Sequence, residues 1–227
     1  LPIETSPRPL RYLFLDFNSY FASVEQQEQP ELRDRPIAVC PVMADSSFVI
    51  AASYEAKAYG VKTGTRIGDA KQMCPGLVLV PARHQAYVAY HKRVIEAAET
   101  VLPVEEVCSI DEMRFRLIGQ ERQPDEARAL ALRMKAALRD GVGERMKCSI
   151  GIAPNAFLAK LATDLEKPDG LVVIEGRQLP DRLRGLALTE FCGINKRMKV
   201  RLESAGIFSS DDLVDASPAE LTRAFGS

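Results

Sequence analysis

Apolar positions in this chain follow two spacings, every second residue and every third to fourth, and the alternation between them predicts its elements. RYLFLD at 11–16 is an apolar run ending in a carboxylate and reads as a buried strand. NSYFASVEQQEQ at 18–29 reads as a helix, with Asn18 or Ser19 as N-cap and Pro30 beyond its end. IAVC at 37–40 and SFVIAAS at 47–53 read as strands, YEAKAYG at 54–60 as a short helix stopped by Gly60, and 65–73 as a helix closed by Pro75-Gly76. Helical periodicity then runs through 84–102. Strands at 105–110 and 113–118 flank Asp111-Glu112, and in the second Met113, Phe115 and Leu117 alternate with Arg114 and Arg116, as on a half-buried strand. A long helix at 124–139 opens at Pro124, KCSIGIA at 147–153 is a strand, and 155–166 is a helix capped by Asn155. KPDG at 167–170 forms a turn before the strand LVVI.

Taken in order, 11–16 and 84–153 give β followed by α-β-β-α-β, close to a split ferredoxin-like unit. The fold class expected is therefore α+β: a ferredoxin-like sheet with a small α/β segment inserted after its first strand, and a helical tail over 178–227. The 227 residues suffice for one large domain or two to three small ones.

Apolar residues at 46% and charged residues at 27% are ordinary for a globular protein. No apolar run approaches the roughly 20 residues that span a bilayer, and the first ten residues lack the basic start and apolar core of a signal peptide. The expectation is a cytoplasmic protein without membrane contact. The first residue is Leu, as in a chain trimmed from a longer one. Five cysteines, scattered and odd in number, read as reduced and mostly core residues. With no CxxC pair and two histidines they make a poor zinc set. The net charge of −1 argues against nucleic acid as partner. Two features weaken that objection: Asn195–Arg201 (NKRMKVR) holds four cations and no anion, and a cluster of catalytic carboxylates would itself depress the total.

Asp16 closes an apolar strand, where an ionised carboxylate is costly unless paired or metal-bound. Asp111 and Glu112 are adjacent, so both can serve one site only where the backbone turns, as at a hairpin tip. In a ferredoxin-like sheet that hairpin neighbours the first strand, and the three carboxylates can converge at one end. Such an oxygen-only set favours Mg²⁺. Without further context, a strand end and a solvated Asp-Glu turn account for the same residues.

The strings LFLDFNSYFASVEQ, IAASYEAKAYGVKTG, SIDE and SIGIAPNAFLAKLATDLEKPDG occur in this order. Together they resemble the Y-family, translesion-type DNA polymerases of the bacterial polymerase IV or UmuC-like kind, over about residues 11–226. The resemblance implies a palm at 10–19 and 83–167, fingers at 20–82 and a thumb at 168–227, with the family's further DNA-gripping little-finger domain absent from this chain. It implies that Asp16, Asp111 and Glu112 are catalytic metal ligands, joined by the main-chain carbonyl of Phe17, for two Mg²⁺ ions that Mn²⁺ can replace. Tyr54 and Lys57 match the pair that holds the incoming triphosphate, with Lys as a point charge where the family also uses the Arg fork. Lys160 matches a palm lysine near that triphosphate. Tyr20 and Phe21 match an aromatic pair, and Phe21 the steric gate that excludes a ribose 2′-hydroxyl. Ala51, Ala52 and Ser53 would leave room for damaged templates. The tail resembles a helix-hairpin-helix that binds DNA phosphates through Gly193, Asn195, Lys196 and Lys199, although Asn195 stands where the usual motif has Gly. The plainer alternatives are a solvated Tyr-Lys face, a surface lysine and a core aromatic.

The function implied is template-directed addition of dNTPs to a primer 3′-OH in lesion bypass, with primer-template DNA and dNTP as partners. The chain would act as a monomer, and a sliding clamp would be reached only through regions outside this sequence. The alternatives are a non-catalytic DNA-binding accessory of a bypass complex, and a two-metal nucleotide cyclase on the same palm, for which the tail would have no role.

Overall fold

The computed structural model describes residues 8–226. A five-stranded sheet organises the molecule, in the order β5-β6-β1-β7-β8. Its strands are β1 (Tyr12–Phe17), β5 (Val104–Val107), β6 (Glu112–Arg116), β7 (Cys148–Ala153) and β8 (Leu171–Val173). β1 lies at the centre, antiparallel to β6 on one side and to β7 on the other. This is the order expected of a ferredoxin-like unit, extended by β8, which runs parallel to β7 at the edge.

Side-chain alternation on β1 decides what each face does. Leu13, Leu15 and Phe17 join Met113, Phe115, Ile150 and Ile152 in the main core. That face is covered by α4 (His84–Glu99), through Tyr87, Tyr90, Val94 and Ala98, and by α5 (Pro124–Gly141), through Leu130, Met134 and Leu138. Phe14 points the other way, into a second core with α6 (Ala156–Leu165) and the tail residues Leu188, Phe191, Ile194 and Leu202. Asp16 is two residues beyond Phe14 and so takes the α6 face.

α6 lies unusually close to the sheet. A Cβ placed on Gly151 of β7 would stand 2.0 Å from the carbonyl oxygen of Ala159 and 2.7 Å from the amide nitrogen of Thr163. Only a residue without a side chain allows this approach.

A second sheet, β3-β2-β4, comprises β2 (Ile37–Cys40), β3 (Ala51–Ala52) and β4 (Val78–Pro81). Ile37, Val39, Ala51 and Val80 extend the main core, and α1 (Tyr20–Glu28) adds Ala22 and Val24. The opposite face packs α2 (Tyr54–Lys57) and α3 (Ile67–Met73) through Ala56 and Ala70. In the tail, α7 (Lys196–Ser204), α8 (Ser210–Asp215) and α9 (Pro218–Phe225) follow three short 3-10 turns.

Several expectations need correction. The strand expected at 47–53 shrinks to Ala51–Ala52, plus one bridge from Phe48 to Arg66. Phe48 is half exposed, so its apolar character signals no burial there. β4 had no counterpart in the sequence reading; it pairs parallel to β2 and ends at Pro81, which cannot donate to a ladder. Neither candidate N-cap of α1 caps it through its side chain. Ser19 sits at the cap with φ +52 and makes no side-chain cap bond, while the Asn18 amide donates to Ser149 Oγ (3.1 Å) and its oxygen accepts from the Asp169 N–H (2.7 Å). The strand expected through 110 stops at Val107, because the Cys108 and Ser109 N–H groups both turn to the Glu112 carbonyl. No helix among the described residues is long and apolar enough to cross a membrane.

The close approach at Gly151 yields a test. Gly151→Ala places a methyl group against α6 backbone that cannot retreat alone, so it should cost on the order of 3 kcal/mol in urea unfolding; an unchanged midpoint would show that α6 does not sit as described.

Candidate active site

Asp16 and Glu112 are direct partners across the β1–β6 pairing and take the same face of the sheet. Asp16 is 5% exposed. The main chain of Asp111 is held alongside: its carbonyl accepts from the Phe17 N–H at 3.0 Å, while its carboxylate accepts from Ser109 Oγ at 2.6 Å. The hairpin tip thus brings the Asp111 backbone to β1 but turns its side chain toward Ser109. Among the described residues, no group of three His, Cys, Asp or Glu side chains is arranged to hold a metal ion.

Two ammonium groups meet these carboxylates. Lys160, on α6, pairs with Asp16, with Glu112 at 2.9 Å and with Asp164 at 3.4 Å. Lys167 pairs with Asp16 at 2.9 Å and Asp164 at 2.8 Å. Burial alone would lower both lysine pKa values. The Asp16 charge, with hydrogen bonds to the carboxylates, outweighs it and holds both ammoniums above their ordinary value.

Tyr54 and Lys57 share a face of α2, whose N-cap Ser53 accepts from the Ala56 N–H, and Lys57 Nζ lies 4.4 Å from the centre of the Tyr54 ring. Burial, then the positive charge of Lys167, pushes the Lys57 pKa down, against a smaller opposing pull from Asp16. Burial likewise raises the Tyr54 pKa, with Lys167 opposing. Lys57 and Lys167 are therefore within electrostatic reach of each other, and among the described residues no carboxylate pairs with Lys57. A partly desolvated cation near a second one, with no carboxylate partner of its own, favours an anion nearby.

Tyr20 is buried, and its hydroxyl donates to the Tyr87 carbonyl at 2.8 Å. Burial, then the Asp111 charge, raises its pKa, which places the ring close to the hairpin tip. Phe21 is partly buried and stacks on Tyr87, centroids 4.4 Å apart. In the tail, Gly193 has φ +87, a left-handed turn suited to glycine. Asn195 is extended instead and caps α7 by accepting from the Met198 N–H. The side chain on Asn195 therefore serves the helix start. Lys196 is exposed, and Lys199 lies 3.7 Å from Glu203.

A family model described as the impB/mucB/samB family matches residues 15–164, the span that holds every carboxylate and lysine of this cluster except Lys167. The chain belongs to this Y-family lineage. Its relatives include a DNA polymerase IV of Moorella thermoacetica, 36% identical over 216 residues, covering 94% of this chain and 54% of that protein. A DNA polymerase IV 1 of Bacillus subtilis is 35% identical over 222 residues, covering 97% and 53%. This Y-family chain thus spans about half the length of the curated relatives it matches. The solved insertion ternary complex of Dbh DNA polymerase superposes with a TM-score of 0.85 at 32% identity, over 96% of this chain and 64% of that one. DinB from Sulfolobus solfataricus gives 0.83 at 32%, over 96% and 63%.

Two residues of this Y-family site escaped the sequence reading. Lys160 and Asp164 are one turn apart on α6, a spacing that could have found Asp164, whereas Lys167 lies just past the helix end and reaches Asp164 and Asp16 from the turn. Removing one ammonium should be felt in stability. Lys160→Met should cost about 2 kcal/mol in urea unfolding at neutral pH, less than the roughly 3–5 kcal/mol of a fully orphaned buried charge, because Lys167 still holds Asp16. No change in stability would mean the Lys160–Asp16 pair does not form.

Proposed function

We propose that this chain carries the catalytic centre of a translesion-type, template-directed DNA polymerase that adds dNTPs to a primer 3′-OH. The observation that carries this reading is the buried Asp16 carboxylate facing Glu112 at one register, with cationic groups gathered around it. The five-stranded sheet serves as palm, drawing in β8 from the 168–227 segment expected as thumb, with the three-stranded unit as fingers and the helical tail as thumb. Primer-template DNA and dNTP are the partners, in the cytoplasm.

The donor set suits hard divalent cations. Asp16 and Glu112, with Asp111 once its carboxylate leaves Ser109 and the Phe17 main-chain carbonyl, would supply only oxygens, and oxygen-only ligation favours Mg²⁺, with Mn²⁺ able to replace it. A bound pair of such ions supplies charge neutralisation at the phosphates and lowers the pKa of the attacking hydroxyl. The remaining work belongs to the chain. Lys57, with Tyr54 beside it, draws in the triphosphate. Lys160 and Lys167 would trade their carboxylate partners for phosphate oxygens, leaving Asp16 and Glu112 able to hold the cations. Phe21 closes the space that a 2′-hydroxyl would occupy. The turn at Gly193, with Lys196 and Lys199, meets the DNA backbone without reading bases.

Primer extension by the whole protein with Mg²⁺ should vanish in Asp111→Ala and in Glu112→Ala, and the Mg²⁺-dependent rise in melting temperature should be abolished in Asp16→Asn. Retained extension in either alanine variant would remove the catalytic assignment. A wild-type protein that binds DNA but never extends a primer would point to the accessory role. For the tail, replacing Lys196 and Lys199 by alanine should flatten the plot of log affinity against log salt, its slope falling by about one for each phosphate no longer neutralised; an unchanged slope would acquit the tail of phosphate binding.

A further inference from the structure

Glu25 is completely buried and takes no part in the reaction proposed above. A buried carboxylate needs full compensation, and Glu25 receives it from two helices. Arg83, at the start of α4, grips it with Nε at 3.1 and 3.0 Å from its two oxygens and Nη2 at 2.6 Å. Gln29 donates to it at 2.6 Å. The Tyr87 hydroxyl, also fully buried, donates to Glu25 Oε1 at 2.7 Å.

The spacing gives this network a purpose beyond stability. Phe21 and Glu25 are one turn apart on α1, and Arg83 and Tyr87 are one turn apart on α4. The two α1 residues hold opposite ends of a single Tyr87 side chain. Phe21 stacks on its ring at an interplanar angle of 27°, and Glu25 accepts from its hydroxyl. Phe21 also makes an edge contact with Tyr20, centroids 5.8 Å apart, and Tyr20 is itself tied to the Tyr87 carbonyl. The Phe21 ring, only partly buried, thus leans on an aromatic wall that cannot swing while its hydroxyl is tethered to a carboxylate locked by arginine.

We propose that Tyr87 and Glu25 are positioning residues for Phe21, and that this α1–α4 clamp sets how strictly the site excludes ribonucleotides. The proposal rests on the reading of Phe21 as the ring that faces the sugar. A steric gate works only if its ring cannot yield. A 2′-hydroxyl is small, so a ring free to change rotamer would admit it. An aromatic stack fixed at its far end supplies that stiffness without touching the nucleotide.

The test is single-nucleotide incorporation by the whole protein, with kcat/KM measured for a dNTP and for its NTP. Phe21→Ala serves as reference and should lose most selectivity. Tyr87→Leu, which removes the wall, should lower the dNTP-to-NTP ratio by about tenfold, chiefly through faster NTP use. Tyr87→Phe, which keeps the ring and drops only the tether, should lower it by less. Selectivity unchanged in a folded Tyr87→Leu, while Phe21→Ala loses it, would overturn the proposal and leave the gate intact. Selectivity unchanged in Phe21→Ala would instead overturn the gate, and the clamp's role with it. Should Tyr87→Leu fail to fold, Tyr87→Phe decides: wild-type selectivity there overturns the proposal, and a reduced ratio sustains it.

Discussion

One buried carboxylate governs the arrangement. Asp16 ends the central strand on the face that α6 covers, and its charge is tolerable there only because Lys160 and Lys167 reach it. Both lysines depend on how α6 lies, and α6 depends on Gly151 having no side chain. A glycine on β7 therefore decides whether a buried carboxylate on β1 can meet its ammonium partners. The pairing of Asp16 with Glu112 across β1 and β6 follows from the sheet register, which a slip of one residue would send to the opposite face.

The cations around this carboxylate are not equivalent. Lys160 and Lys167 are stabilised as ammoniums by the acids they touch, whereas burial and the charge of Lys167 push the Lys57 pKa down. Three carboxylates, Asp16, Glu112 and Asp164, thus share the two ammoniums of the floor, whereas among the described residues Lys57 on α2 has no carboxylate partner. This difference is a property of placement, since all three are ordinary lysines in sequence.

The aromatic side of the site is held by different physics. Tyr20, Phe21 and Tyr87 form a run of ring contacts anchored by a hydroxyl on a backbone carbonyl and another on a buried carboxylate. Ring stacking alone permits sliding. Hydrogen bonds at the ends of the run remove that freedom. The carboxylate floor comes from β1, β6 and α6 and the aromatic wall from α1 and α4, and the two adjoin where β1 runs on into α1.

The order of strands and helices, the α+β class and the half-buried character of β6 were legible in the sequence, because they follow from short-range periodicity and from the chain rules of a split βαββαβ unit. The family motifs marked Asp16, Asp111, Glu112, Tyr54, Lys57 and Lys160. Four things were decided only by tertiary structure. Phe48 stayed exposed, so the strand at 47–53 shortened, while β4 formed because a parallel partner was available. The Asp111 carboxylate turned to Ser109 although its backbone joined β1. Asn195 became a helix cap. Lys167 and Glu25 acquired roles from residues 151 and 62 positions away, through the Asp16 pair and the Tyr87 tether. Local sequence sets which groups are apolar, charged or able to turn. Which buried charge meets which partner depends on contacts between distant segments, and these exist only once the sheet and its covering helices have closed.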